Sequence, residues 1–103
     1  MSNQEFVLFR GKKYFVEDGG LSLLYAGVSD IDELEGLQNL ISLSSLNLKG
    51  NNISRIEGLE PLMNLRSLNL GNNQINEIEG LESLENLTHL TLIGNNISEI
   101  KGL

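Results

Sequence analysis

Few side chains in this sequence are suited to catalysis or metal binding. The 103 residues include a single histidine, His89, and no cysteine, so the chain lacks a thiol nucleophile and a second histidine for a zinc site. His89 also has no neighbouring nucleophilic side chain at an equivalent position along the chain with which it could act as a general base. The acidic run Asp30–Glu33 lacks both the ligand spacing and the glycine of a calcium-binding loop. We therefore expect a protein that is not an enzyme and that uses no cofactor and no metal ion; an enzyme would need a partner domain.

The charge balance restricts the classes of partner. Seven Lys and Arg residues against 14 Asp and Glu residues give a formal net charge of −7, which argues against nucleic acid or an anionic membrane as the main partner. The residues after Met1 do not form a basic segment followed by an apolar one, and no apolar run is long enough to span a bilayer. These features predict an acidic cytoplasmic protein.

Most of the chain repeats itself every 22 residues. Four leucine positions recur in register, followed by an asparagine, two isoleucines and a Gly-Leu pair. The regular copies begin at Leu40, Leu62 and Leu84, and their asparagines are Asn51, Asn73 and Asn95. A less regular copy places Leu21, Leu24, Ala26, Ser29, Ile31 and Leu34 in the same registers. The spacing predicts repeats over residues 21–39 (degenerate), 40–61, 62–83 and 84–103 (truncated).

The pattern L-x-x-L-x-x-L-x-L-x-x-N-x-I-x-x-I-x-G-L-x-x resembles the leucine-rich repeat family. The stretches from Ile53 to Leu59 and from Ile75 to Leu81 are similar to the short 22-residue class found in a regulatory subunit of protein phosphatase 1. This resemblance implies an α/β solenoid, a horseshoe segment with a parallel β-sheet on its concave face and 3-10 or helical turns on its convex face. It also implies a scaffold for protein binding.

The spacing of each repeat gives a physical reason for such a fold. In Leu46-Asn47-Leu48 the alternation points both leucines inward and the asparagine outward, as in a half-buried strand. Stacked copies would pair in parallel and bury a continuous column of leucines. We expect Asn51, Asn73 and Asn95 to form a buried ladder that satisfies backbone groups where the chain leaves the strand. The Ile-x-x-Ile segments would form a 3-10-like turn.

Residues 1–20 differ in composition from the repeats and are predicted to form an N-terminal β-hairpin cap. Phe6–Phe9 and Tyr14–Val16 are rich in strand-forming residues, and a Gly11-Lys12 turn would oppose Phe9 with Tyr14. A solenoid needs such a cover over its first coil, because the leucines of that coil would otherwise contact water. The alternative is that these aromatic residues form a ligand-binding face.

The outward residues of the predicted strands form one surface, which we call the concave strip. It carries Lys49 and Arg66 among neutral polar side chains and contains no acidic residue. Its candidate partner-binding residues are Tyr25, Ser45, Asn47, Lys49, Arg66, Ser67, Asn69, His89 and Thr91. The leading hypothesis is a module that binds a protein or peptide on this strip.

The last repeat suggests a second, structural hypothesis. No further repeat follows Leu103 in this sequence to cover the leucines of the terminal coil, and exposed apolar ends favour association. The residues predicted to self-associate, in a tail-to-tail homodimer, are Leu87, Leu90, Leu92, Ile97 and Ile100. The chain could equally be the N-terminal fragment of a longer repeat protein.

Overall fold

The computed structural model describes residues 4–100, with side chains described as far as residue 98. Within these residues, eight strands and two short 3-10 helices follow one another. The strands are β1 (Phe6–Phe9), β2 (Lys12–Phe15), β3 (Gly20–Ser22), β4 (Ser45–Asn47), β5 (Ser67–Asn69), β6 (Glu77–Ile78), β7 (His89–Thr91) and β8 (Glu99–Ile100); the 3-10 helices span Ile31–Glu33 and Leu37–Asn39.

The repeats stack through one parallel sheet, as the sequence predicts. Its strand order is β3-β4-β5-β7, and Leu46, Leu68 and Leu90 are cross-strand neighbours. Each strand is only three residues long, so it depends on its neighbours for hydrogen bonds and for burial of its leucine. Leu46 and Leu68 are 1% exposed. The sheet and its leucine column confirm the predicted solenoid.

The first coil departs from the 22-residue alignment. Leu21, rather than Leu24, pairs with Leu46; Leu24 is 47% exposed, whereas Leu23 is 1% exposed. The prediction that Leu24 is the core leucine of this strand is therefore wrong by three residues. The extra residues lie in the connection after Val28, where Asp30 and Glu33 form a capping box around the first 3-10 helix.

Two asparagines are buried in the core beside the leucines. Asn51 is 5% exposed and Asn73 is 7% exposed, and Asn95 in the terminal coil is half-buried. The Asn73 side chain donates to the backbone oxygens of Leu48 and Leu70, both at 3.0 Å. Its oxygen accepts from the backbone N–H of Ile53 in the preceding coil. These contacts confirm the predicted asparagine ladder.

The turns on the convex side fall at a different point from the one expected. A 3-10 helix starts at Ile31 in the first coil, but the later Ile-x-x-Ile segments form no 3-10 helix within residues 4–100 and, at β6 and β8, pair in parallel. The backbone N–H of Gln74 donates to the oxygen of Ile53 at 2.8 Å, so these segments bond to the adjacent coil. The 3-10-type bonds follow the Gly-Leu pairs instead, with the N–H of Leu62 donating to the oxygen of Leu59 at 3.0 Å.

A β-hairpin precedes the first coil. β1 and β2 are antiparallel, with Phe9 opposite Lys12, so the predicted Gly11-Lys12 turn and the Phe9–Tyr14 pairing are wrong. The turn is Arg10-Gly11, with φ angles of 52° and 79°, which is the left-handed geometry of the tight two-residue hairpins. Val7 and Phe9 are buried in the core, and β1 pairs at Leu8 with Glu35. The hairpin thus covers the first coil; the residue bounds of cap and repeats stay a prediction.

Candidate functional site

The parallel sheet brings six of the predicted partner-binding residues into two rows on its outer side. Because neighbouring strands are in register, equivalent positions lie side by side. One row is Ser45, Ser67 and His89, and the other is Asn47, Asn69 and Thr91. Their side chains are half-buried in β4 and β5 and exposed in β7. The concave strip is therefore a continuous polar surface across three coils.

The side-chain oxygens of Asn47 and Asn69 accept hydrogen bonds from their own loops, whereas their amino groups remain available as donors. The Asn47 oxygen accepts from the backbone N–H of Lys49 at 3.1 Å, and the Asn69 oxygen accepts from that of Gly71 at 2.9 Å. These local bonds fix the orientation of both amide groups. Neither side-chain amino group donates to another described residue, so both are free to donate to a ligand.

Two cations lie on or beside the strip. Arg66, which precedes β5, is exposed, and Lys49, which follows β4, is half-buried. The ion pairs among the described residues involve Arg10 and Arg55, so neither Lys49 nor Arg66 has a carboxylate partner there. Their charges are available to an incoming anionic group.

Tyr25 lies at the edge of the strip and not in a strand row. The predicted position beside Asn47 is taken by Ser22, because the first strand is displaced by three residues. Tyr25 follows that strand with φ of 49°, and its backbone N–H donates to the Lys49 oxygen at 3.0 Å. Its ring packs against the backbone of Gly50 and remains 66% exposed. The ring thus lies against the backbone that directly follows Lys49, at one side of the strip.

His89 shows no arrangement typical of acid–base catalysis. It is exposed, and its Nδ1 atom lies 2.9 Å from the hydroxyl of Thr88.

Over residues 4–100 no group of three or more His, Cys, Asp or Glu side chains is placed to hold a metal ion. Nor does this part of the chain contain a helix that is both long and apolar enough to cross a bilayer.

The residues predicted to self-associate are less buried than their counterparts in earlier coils. Leu90 is 36% exposed, whereas its sheet neighbour Leu68 is 1% exposed. Leu87, Leu92 and Ile97 are half-buried. The side chain of Ile100 lies outside the described residues, although its backbone belongs to β8.

An additional groove, of about 520 Å³, lies between the hairpin and the first coil. The sequence predicts that these hairpin residues mainly cover leucines, with a ligand-binding aromatic face as the alternative, and it does not predict the groove. It is lined by Lys12, Lys13, Tyr14 and Phe15 of β2, and by Ser45 and Asn47 of the concave strip. The adjacent lysine and aromatic residues in a strand-forming run were the signal that could have revealed it.

The hairpin tip is attached to the first coil by polar contacts. Arg10 donates to the backbone oxygen of Gly27 at 3.2 Å and lies 4.0 Å from the carboxylate of Glu33. Hydrogen bonds from the backbone N–H groups of Asp30 and Ser29, with a smaller contribution from the Arg10 charge, hold the pKa of Glu33 below its usual value. These contacts fix the hairpin relative to the sheet, and with it the groove.

Comparison with known proteins agrees with this geometry. A family model described as "Leucine Rich repeats (2 copies)" matches residues 41–83 and again residues 64–103, which together make up more than half of the chain. No curated protein matches the sequence significantly.

Similarity also extends to solved structures. One of them, an internalin from Listeria monocytogenes, matches with a TM-score of 0.59 and 30% sequence identity over 72% of this chain and 25% of the internalin chain. The present chain thus spans about a quarter of the length of that internalin. The finer resemblance, to the repeats of a protein phosphatase 1 regulatory subunit, stays a prediction. The family matches, the stacked parallel strands and the asparagine ladder together establish that this chain belongs to the leucine-rich repeat family.

Proposed function

We propose that this chain binds a protein or a peptide segment on its concave strip. Leucine-rich repeat domains generally mediate protein–protein interactions and are typically not enzymes. The observation that carries the proposal is the chemistry of the strip: aligned side-chain donors on Asn47 and Asn69 beside two cations without a carboxylate partner among the described residues.

The rigidity of the strip supports this assignment. Its side chains stand on hydrogen-bonded strands, and the Asn47 and Asn69 amides are held by bonds to their own loops. A partner that binds here orders few additional groups of the strip, so the part of the entropic cost that comes from side-chain ordering is reduced. Arg66 and Tyr25 belong to the residue types that most often dominate binding energy at protein interfaces, and both are exposed. The proposal also includes a cytoplasmic location and no catalytic role.

Charge reversal tests the proposal. A partner isolated with the native chain should bind the Lys49→Glu, Arg66→Glu double variant more weakly and associate with it more slowly, because a favourable potential is replaced by a repulsive one. The control reverses two convex carboxylates, Glu57→Lys with Glu79→Lys. A partner whose affinity responds only to the convex variant would contradict the proposal.

A second candidate is self-association through the terminal coil. The greater exposure of Leu90 relative to Leu68 favours it, since burial of apolar surface stabilises by about 25 cal/mol per Å². A tail-to-tail arrangement satisfies two-fold symmetry and keeps the hairpin distal. Sedimentation should then show a dimer that forms as concentration rises, and a polar cap grafted after Leu103 should restore the monomer. A native chain that stays monomeric at millimolar concentration would rule out this candidate.

A further inference from the structure

We infer that the groove between the hairpin and the first coil binds an extended acidic peptide segment, which adds a strand to the outer edge of β2. This inference rests on the proposed function, because the groove shares Ser45 and Asn47 with the concave strip. It goes further by naming the chemical class of the partner and the backbone groups that hold it.

The edge of β2 has backbone groups without protein partners. Leu8 exchanges hydrogen bonds of 3.0 and 2.9 Å with Glu35, so its backbone N–H and C=O groups point away from β2. In an antiparallel pair the residue opposite points away as well, and the residue opposite Leu8 is Lys13. By the same alternation Phe15, two residues on, also directs its N–H and C=O outward. Among the described residues no backbone bond satisfies these groups.

The outer edge of β2 faces the groove because β2 and β3 diverge. The two are joined by a tight turn that is closed by mutual backbone bonds of 2.8 and 2.9 Å between Glu17 and Gly20. Beyond that bridge no pairing joins β2 to β3 in the described residues, and the groove lies between them. An extended segment lying there would meet a row of donors and acceptors spaced for a strand.

The charge of the groove selects an acidic occupant. Lys12 and Lys13 are exposed, and their ammonium groups lie 5.0 Å from the Tyr14 ring centre and 4.7 Å from the Phe6 ring centre. Neither has a carboxylate partner among the described residues, although the body of the protein is acidic. Glu17 lines the opposite end, so carboxylates of the segment should lie toward the lysines.

The lining also offers apolar contact. Phe15 is 43% exposed, and its ring centre lies 5.7 Å from that of Phe6. In an added strand the side chains alternate between the two faces. Lys12 and Tyr14 lie on one face of β2, and Lys13 and Phe15 lie on the other. A segment that alternates carboxylates with apolar residues would therefore place its charges near the lysine of one face and its apolar side chains on the aromatic ring of the other.

The test uses the full chain and a synthetic peptide of about six residues, alternating Glu and Val. The comparison peptide has Lys in place of Glu. We expect the acidic peptide to bind more tightly, to weaken with added salt, and to slow hydrogen exchange at the backbone N–H groups of Lys13 and Phe15. Equal binding of both peptides, no detectable binding of the acidic one, or no protection at these two positions would overturn the inference.

Two sets of variants isolate the groove. Lys12→Glu with Lys13→Glu should weaken binding by about tenfold or more. Phe15→Pro should weaken binding of the acidic peptide more than Phe15→Ala does, because proline removes the outward N–H as well as the ring. The hairpin should still fold, because proline is tolerated at the edge of a sheet. Circular dichroism checks that each variant is folded, and the exchange measurement on the native chain does not depend on them.

The remaining outcomes separate this inference from the proposed function. If the peptide protects or shifts Asn69 and Thr91 but not Lys13 and Phe15, and responds only to charge reversal at Lys49 and Arg66, the groove is excluded and the concave strip is retained. If Lys13 and Phe15 become protected as the protein is concentrated without peptide, a second copy of the chain occupies the edge, and the inference is wrong.

Discussion

The side-chain oxygen of Asn73 accepts a hydrogen bond of 3.0 Å from the backbone N–H of Ile53, in the preceding coil. The Asn73 amino group bonds back to the Leu48 oxygen in that coil and to the Leu70 oxygen in its own. One buried side chain thereby joins two coils at the point where each leaves the sheet. The concave strip depends on these bonds, because they connect the coils whose strands carry the strip.

Replacement of Asn73 by leucine should destabilise the protein severely. The substitution leaves buried backbone groups without partners, and we expect the free energy of unfolding to fall by roughly 2–4 kcal/mol in chemical denaturation. Asn69→Leu is the matched control, since Asn69 lies on the outer side of the sheet and its oxygen contacts only its own loop. Equal denaturation midpoints for the two variants would contradict the role assigned to Asn73.

Glycine at position 50 is required by the ring that packs on it. A methyl group at Gly50 would overlap the Tyr25 ring, and φ there is +77°. Gly11 has nearly the same backbone angle, +79°, but open space around it. We expect Gly11→Ala to lower the free energy of unfolding by about 1 kcal/mol and Gly50→Ala to lower it further, because the ring must also move.

Thermal denaturation of the two alanine variants measures this difference. The Gly50→Ala variant should also show a changed fluorescence of Tyr25 relative to a Tyr14→Phe background. Equal stabilities for Gly50→Ala and Gly11→Ala would show that the ring does not pack as described.

Acidification should weaken the first coil through Glu33. Because hydrogen bonds from Asp30 and Ser29 lower its pKa in the folded state, the stabilisation is present above the unfolded-state pKa of about 4.3 and is lost as the pH falls through the lower folded pKa. Glu33→Gln does not titrate. The native chain should therefore lose more stability than this variant between neutral pH and about pH 3. Parallel stability curves over that range would contradict this assignment.

The spacing of the leucines carries most of the information about the fold. A repeat of constant length must place Leu46, Leu68 and Leu90 in register, and the three are sheet neighbours in the structure. The buried Asn51 and Asn73 follow from the same spacing. The strand of the first coil was misplaced because leucine occurs at 21, 23 and 24, and the sequence pattern alone does not decide which two point inward.

The surface features depend on contacts that spacing does not reveal. The hairpin turn was misplaced because Arg10 adopts a positive φ, which is uncommon for a residue other than glycine. Two further features lie at the first coil, whose strand the repeat spacing misplaces. They are the packing of Tyr25 on Gly50 and the divergence of β2 from β3. The two rows of the concave strip, in contrast, follow from alternation in β4, β5 and β7, and the spacing predicts which six side chains form them; their role in binding stays a prediction.

Photo-crosslinking tests the central claim, binding on the concave strip, most directly. A photoreactive amino acid is placed at Thr91, exposed on the strip, or at Glu60, exposed on a convex turn, and each chain is irradiated in a cell extract. The account predicts a discrete adduct from position 91 that unlabelled native chain competes away, and no such adduct from position 60. A competed adduct from position 60 alone would contradict it.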